Sequence, residues 1–226
     1  RFFMKALSHN NKEFTYTEPF ENLFTQGMVC HETYKSEDNK WLYPFEVEKK
    51  PDSTYIAKKN KKKVYVGPSE SMSKSKKNIV DPGEMVSIYG ADSIRWFMLS
   101  DSPPERDVQW SVEGVSASHK FIQKLWRLHN EILNKKDETK KPEDINMKKA
   151  VNKTIYNVTK NLENFQYNVV VANLHEIYNL INEYVTNNKI SGKILKAEWE
   201  KIIMLLMPLI PHLAHECCET INKKFY

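Results

Sequence analysis

A mainly α protein in two unequal parts is predicted: a mixed segment with short strands to about residue 115, then an antiparallel helical bundle from residue 116. Two observations predict it. Gly27, Gly67, Gly83, Gly90 and Gly114 lie before the break and only Gly192 beyond it; glycine supplies the backbone freedom that mixed folds and loops need and helices avoid. After residue 115 the apolar residues fall into helical period and stay there, as expected of helices with one buried stripe.

In chain order, residues 1–10 read as the end of a helix. Asn22 to Val29 reads as a short apolar strand. From Tyr34 to Lys63, polar residues with isolated aromatics (Trp41, Tyr43, Phe45, Tyr55) predict an irregular or hairpin-like insert, and Val64 to Gly67 another short strand. Asp81 then offers an N-cap, Pro82 the first helical position, where a missing N–H costs nothing, and Glu84 the third position of a capping box. Gly90 ends that helix. A second starts at Ala91 or Asp92, points Ile94, Phe97, Met98 and Trp96 toward a core, and stops before Pro103-Pro104.

The bundle follows from its stripes. Phe121, Leu125, Leu128 and Ile132 make one; Val151, Ile155, Val158, Leu162 and Phe165 a second; Leu174, Ile177, Ile181 and Val185 a third. A fourth helix is predicted from Leu195 to Leu206 and a last one from Pro211 into Glu219, with an exposed link from Asn134 to Asp144. Consecutive helices with stripes of this width form an antiparallel bundle.

Composition excludes several classes. With 226 residues, 34 basic and 29 acidic side chains and a net charge of +5, the chain is long enough for a sizeable core and only mildly basic. No apolar run of about 18 residues exists, so no membrane-spanning helix is predicted. Three cysteines, two adjacent, make no disulfide framework, and a reducing, cytoplasmic setting is expected. The chain opens Arg1-Phe2-Phe3 without an initiator Met, and it reads as a piece of something longer.

Chemistry concentrates in Ser69-Glu70-Ser71-Met72-Ser73-Lys74-Ser75-Lys76-Lys77-Asn78, between a strand and the helix capped by Asp81. Hydroxyls alternating with lysines suit a loop that converges on phosphate oxygens. An ordinary solvated lysine loop has the same composition.

Spacing separates the two. Met72-Ser73-Lys74-Ser75, followed by Asn78, Asp81, Pro82, Gly90-Ala91-Asp92 and Arg95, resembles the KMSKS signature loop of class I aminoacyl-tRNA synthetases. Gln26-Gly27-Met28-Val29, Tyr89 to Asp92, Arg95 to Met98 and Ser102-Pro103-Pro104-Glu105-Arg106-Asp107 resemble the bacterial-type leucine branch of that family. One departure is plain: Ser71 stands where the family carries its first lysine, with Lys76 and Lys77 as nearby substitutes.

The resemblance implies the end of a Rossmann-like class I catalytic domain in residues 1–33, a polar insert in 34–66, the signature loop and following helices in 67–115, and an anticodon-binding bundle in 116–226. It implies leucine activated by Mg-ATP to leucyl-adenylate, then transfer to tRNA(Leu) by a monomeric enzyme. Met72, Ser73, Lys74 and Ser75 would bind ATP, with Lys74 as the catalytic group on the departing pyrophosphate. Lys76, Lys77, Arg106, Lys120, Lys124 and Arg127 are candidate tRNA contacts. The family's HIGH signature and editing domain are absent from these residues, so the segment alone is expected to be inactive. A sister enzyme for isoleucine, valine or methionine, and a non-catalytic helical RNA-binding module, remain as alternatives.

Plainer explanations cover the rest. Lys58, Lys59, Lys61, Lys62 and Lys63 suit a solvated face as well as they suit a polyanion. Arg95 and Trp96 border the proposed tRNA path, but Trp96 and Trp126 read as core anchors. His212, His215 and Cys218 share a helix face without the four-ligand spacing of a zinc site, and no metal is expected there.

Overall fold

The computed structural model describes residues 1–136 and 141–222, so residues 137–140 of the link between Asn134 and Asp144 lie outside the described residues. Helix α1 (Phe2–Asn10) buries none of its residues. Six strands then form one sheet: β1 (Val29–Ser36), β2 (Trp41–Leu42), β3 (Val47–Lys49), β4 (Tyr55–Ala57), β5 (Lys63–Ser71) and, later, β6 (Val108–Gln109). The order is β2-β1-β5-β4-β3, all antiparallel, while β6 runs parallel to the start of β1.

The central β1–β5 ladder contains a register shift between Glu32 and Thr33, where Glu32 faces Ser69 and Thr33 faces Gly67. Pro68 is the extra residue. It has no N–H to give a ladder and sits where none is required, while its carbonyl accepts from Thr33 Oγ1 at 3.3 Å. Tyr34, Val47, Ala57 and Val64 close a small core under this sheet.

The strand expected over Asn22 to Val29 is not formed: only Val29 belongs to β1, which runs on to Ser36. The apolar run makes its backbone bonds elsewhere. Gly27 N–H donates to Pro104 O at 2.8 Å and Met28 N–H to the Asp107 carboxylate at 2.8 Å. A Cβ at Gly27 would lie 2.1 Å from Arg106 O, so the approach of these two chain segments requires glycine.

Helix α2 (Pro82–Tyr89) begins at the predicted cap, with one change: the Asp81 carboxylate accepts from Gly83 N–H at 2.8 Å, and Glu84 closes no capping box. Gly90, at φ +79° and ψ 152°, joins α2 to α3 (Ala91–Ser100) in a conformation that only glycine adopts freely. Trp96 and Phe97 are buried on α3, and Ile94 and Met98 pack half-buried beside Phe97.

Helices α4 (Val112–Leu133), α5 (Asp144–Glu163), α6 (Tyr167–Thr186), α7 (Gly192–Leu206) and α8 (Pro211–Asn222) make the bundle. The first and third predicted stripes are buried throughout, and in the second Val151 and Val158 are buried with Ile155 and Leu162 at the margin. Phe165 departs from its stripe. Helix α5 ends at Glu163, Phe165 takes φ +57°, and its half-exposed ring stacks on Phe24 at 4.7 Å. At the other end of α5, the buried Asp144 carboxylate accepts from Ser191 N–H and Oγ at 2.9 and 2.8 Å, tying α5 to the start of α7.

A polar chain crosses the bundle core. Trp199 Nε1–H donates to His129 Nδ1 at 3.0 Å, and Nε2 of this fully buried histidine meets Thr220 Oγ1 at 2.7 Å. Indole is only a donor, so the proton of the neutral ring is on Nε2; Thr220 Oγ1 accepts it and donates to Cys217 O at 2.9 Å.

Burial holds the His129 pKa below its ordinary value of 6.5, and does the same to His175 with Lys124 adding. For a histidine depressed in the folded state, the unfolded chain takes the proton first. Stability is therefore present above about pH 6.5 and is lost as pH falls through that value, by up to about 1.4 kcal/mol per pH unit for each such group. Urea midpoints between pH 8 and 5 are expected to decline below 6.5, and less steeply in His129→Gln; equal slopes would show that His129 is not the sensor.

Candidate functional site

The signature segment begins where β5 ends, at exposed Ser71, and reaches Asp81 through a turn over residues 74–77. Its shape is set by Asn78, which is fully buried. The Asn78 side-chain oxygen accepts from Ser73 N–H at 2.9 Å, and its amide nitrogen donates to His31 O, Glu70 O and Ser71 O at 3.2, 3.1 and 3.4 Å. One side chain thus joins β1, the end of β5 and the loop.

Around that staple, Met72 N–H donates to Val29 O at 3.1 Å and its side chain is half-buried. Ser73 Oγ accepts from Lys76 N–H at 3.3 Å and lies 3.3 Å from Ser75 Oγ. Lys76 is ion-paired with Glu70. Lys77, at φ +55°, lays its ammonium over the Tyr43 ring, 5.0 Å from the centroid. Lys74 and Ser75 stand exposed at the crest. Among the described residues, the Lys74 ammonium makes no hydrogen bond or ion pair.

This division of labour has a chemical meaning. The two lysines that close the turn are occupied with the protein, and the one at its crest is free for a partner. A lysine ammonium is a compact point charge with three donors. Beside it the Ser73 and Ser75 hydroxyls add short donors, which together match the oxygens of a polyphosphate. Residues 71–78 line neither of the adjoining clefts. One, of about 550 Å³, is lined by Ile79, Val80 and Asp81 at the end of the segment, with Tyr43, Phe45, Pro82 and Met85. The other, of about 520 Å³, lies under β1 against Tyr34, Gln109, Trp110 and Glu113; burial, with Glu32 adding, pushes the Tyr34 hydroxyl well above the usual tyrosine range.

The remaining candidates lie apart from the loop. Lys120, Lys124 and Arg127 are exposed on α4, at spacings that put them along one face. Arg106 is exposed in the turn before β6, its carbonyl pressed against Gly27. Arg95, exposed on α3, is held by the bundle: Nε donates to Leu209 O at 2.9 Å and Nη2 to Pro208 O at 2.7 Å. Trp96, 2% exposed, stacks on Phe121 at 5.1 Å. Of the first insert lysines, Lys61 pairs with Glu48 and Lys62 with Glu37. Cys217 and Cys218 are buried thiols, the first pushed up to about 12 by burial.

Asn78 was visible in the sequence only as a member of the motif; its role depends on carbonyls from two strands. Replacing it with alanine leaves the Ser73 N–H and three carbonyls without this partner. At about 1–3 kcal/mol for an orphaned buried group, amide exchange at Ser73 is expected to accelerate about tenfold in Asn78→Ala with unchanged circular dichroism. Unaltered exchange there would show that the loop does not need the staple.

Residues 65–111 match the family described as tRNA synthetases class I (I, L, M and V), and residues 144–225 the anticodon-binding domain of tRNA ligase. The chain is 40% identical to the leucine–tRNA ligase of Rickettsia peacockii (strain Rustic) over 99% of its length, and 40% identical to that of Rickettsia bellii (strain RML369-C) over all of it. It spans 27% of the length of each. Among solved structures, it superposes in full on 25% of the Agrobacterium radiobacter K84 agnB2 LeuRS chain from a ternary complex with tRNA and LeuAMS, with a TM-score of 0.70 at 22% identity. Over 66% of its length it also resembles Mycobacterium tuberculosis methionyl-tRNA synthetase in complex with methionyl-adenylate, with a TM-score of 0.56 at 15% identity.

Proposed function

This chain belongs to the class I aminoacyl-tRNA synthetases, in the stretch that ends the catalytic domain and carries the anticodon-binding helices, and on that premise we propose that the whole protein is a leucine–tRNA ligase. It activates leucine with Mg-ATP and passes the leucyl group to tRNA(Leu). The observation that carries the reading is the unpaired Lys74 ammonium at the crest of a stapled turn, in a chain that matches leucine enzymes along its whole length.

The division proposed is residues 1–33 closing the catalytic domain, 34–66 as insert, 67–115 as signature region and 116–226 as the anticodon-binding bundle. The protein acts as a monomer in the cytoplasm, where its three unbridged cysteines remain thiols. No helix among the described residues is long and apolar enough to cross a membrane.

In the activation step, the leucine carboxylate attacks the α-phosphorus and pyrophosphate leaves with growing negative charge. Lys74 meets that charge, with Ser73 and Ser75 as further donors and Met72 seated beneath them. An interaction stronger with the leaving pyrophosphate than with intact ATP lowers the barrier instead of merely tightening binding. Mg²⁺ travels on the triphosphate as part of the substrate. Arg106, Lys120, Lys124 and Arg127 face solvent where a phosphodiester backbone can reach them, and Lys76 and Lys77 border the loop.

The test is ATP–pyrophosphate exchange by the full-length protein across an amino-acid panel. Leucine is expected to drive exchange; exchange driven only by isoleucine, valine or methionine would replace leucine with that substrate. No exchange with any of them, alongside salt-sensitive tRNA binding, would leave an RNA-binding module.

A further inference from the structure

We infer that Asp92 and Arg95 are positioning residues that lock the helical bundle to the signature-loop region, and that they serve transfer to tRNA more than activation of the amino acid. The inference rests on the ligase reading above.

Helix α8 starts with Pro211, which has no N–H, and Ile210 before it carries no side-chain acceptor. The first free donors of α8 are therefore His212 and Leu213. Both reach the buried carboxylate of Asp92, at 3.3 and 2.7 Å, from more than a hundred residues away in the chain. One helical turn along α3, Arg95 donates to the carbonyls of Leu209 and Pro208, in the elbow that follows α7. A carboxylate thus faces the positive end of α8 and a guanidinium faces the carbonyls leaving α7, each matching the helix dipole it meets. A planar, forked donor holds two N–H groups at a fixed spacing to the two carbonyls, a geometry that the compact lysine ammonium does not reproduce.

The same end of α3 also meets helix α2 of the signature region. Tyr89 O, the last carbonyl of α2, accepts from Ser93 Oγ at 2.6 Å and lies 2.9 Å from His119 Nδ1. Gln123 Nε2 lies 2.8 Å from His119 Nε2 and can only donate to it, which puts the ring proton on Nδ1, aimed at Tyr89 O. Helix α2 itself buries no residue. Its placement relative to the bundle comes from this pinned end, which α3, held at the elbow by Asp92 and Arg95, and His119 of α4 fix together. The loop that meets ATP and the bundle that meets tRNA are thus joined at the start of α3.

The test uses the full-length protein with Arg95→Lys, Arg95→Ala and Asp92→Asn. Leucine-dependent exchange, which needs no tRNA, is expected to stay within about twofold of wild type. Aminoacylation is expected to fall about tenfold to a hundredfold, mostly as a raised KM for tRNA or a slower transfer step, with Arg95→Lys no better than Arg95→Ala. Equal losses in exchange and aminoacylation would reduce the pair to a role in folding, and loss of neither would remove the inference. Amide exchange at His212 and Leu213 provides a readout independent of catalysis: it is expected to accelerate about tenfold in Asp92→Asn while the α5 and α6 amides hold, as befits local opening. Unchanged exchange there would overturn the clamp. A wild-type protein without leucine-driven activity would instead overturn the ligase reading and the transfer role with it.

Discussion

Lys74→Ala in the full-length protein is expected to lower ATP–pyrophosphate exchange by about a hundredfold to a thousandfold, or roughly 3–4 kcal/mol, the usual loss when one preorganised electrostatic donor is removed. The magnitude follows from what surrounds it. Lys76 is engaged by Glu70 and Lys77 by the Tyr43 ring, so neither can take over without giving up its own partner. In the proposed role the ammonium meets charge that develops in the transition state, so the loss belongs in kcat more than in the KM for ATP. Binding of tRNA is expected to persist, since the exposed cations of α4 lie elsewhere in the chain. A fall in tRNA affinity that scales with salt, with exchange unchanged, would move Lys74 from catalysis to nucleic-acid binding.

Trp199→Ala is expected to be the most damaging change in the bundle, at about 3–5 kcal/mol. This indole is 1% exposed, and its removal leaves both a cavity and a buried His129 Nδ1 without a donor. Set against a typical domain stability of about 5–15 kcal/mol, that is a large fraction. Trp199→Phe separates the contributions, because it fills most of the volume and loses only the hydrogen bond, for about 1–2 kcal/mol. The measurement is the urea midpoint of this chain at pH 8, where His129 is neutral. A loss in Trp199→Phe as large as in Trp199→Ala would place the energy in the polar chain rather than in packing.

The bundle was legible because burying one face of a helix writes its period into the sequence. Leu125, Leu128, Leu174 and Ile177 are where that period puts them. Phe165 kept the spacing but not the helix, since the backbone turns left-handed two residues after α5 ends. Asn22 to Val29 looked like a strand because it is apolar, yet the Gly27 and Met28 N–H groups are satisfied by the Pro104 and Asp107 turn, a pairing that no local pattern encodes. At the candidate site the motif located the loop, and its lysines were distinguished only by their partners in space. Asn78, Asp92 and Arg95 stood in the motif as letters. Their work on carbonyls and amides of distant segments could be seen only once the chain was folded.

The most direct measurement is a structure of the full-length protein with ATP and leucine bound. The account predicts the Lys74 Nζ within about 2.7–2.9 Å of a β- or γ-phosphate oxygen, with Asn78 still holding Ser73. A nucleotide seated in its site while the Lys74 ammonium remains in solvent would contradict it.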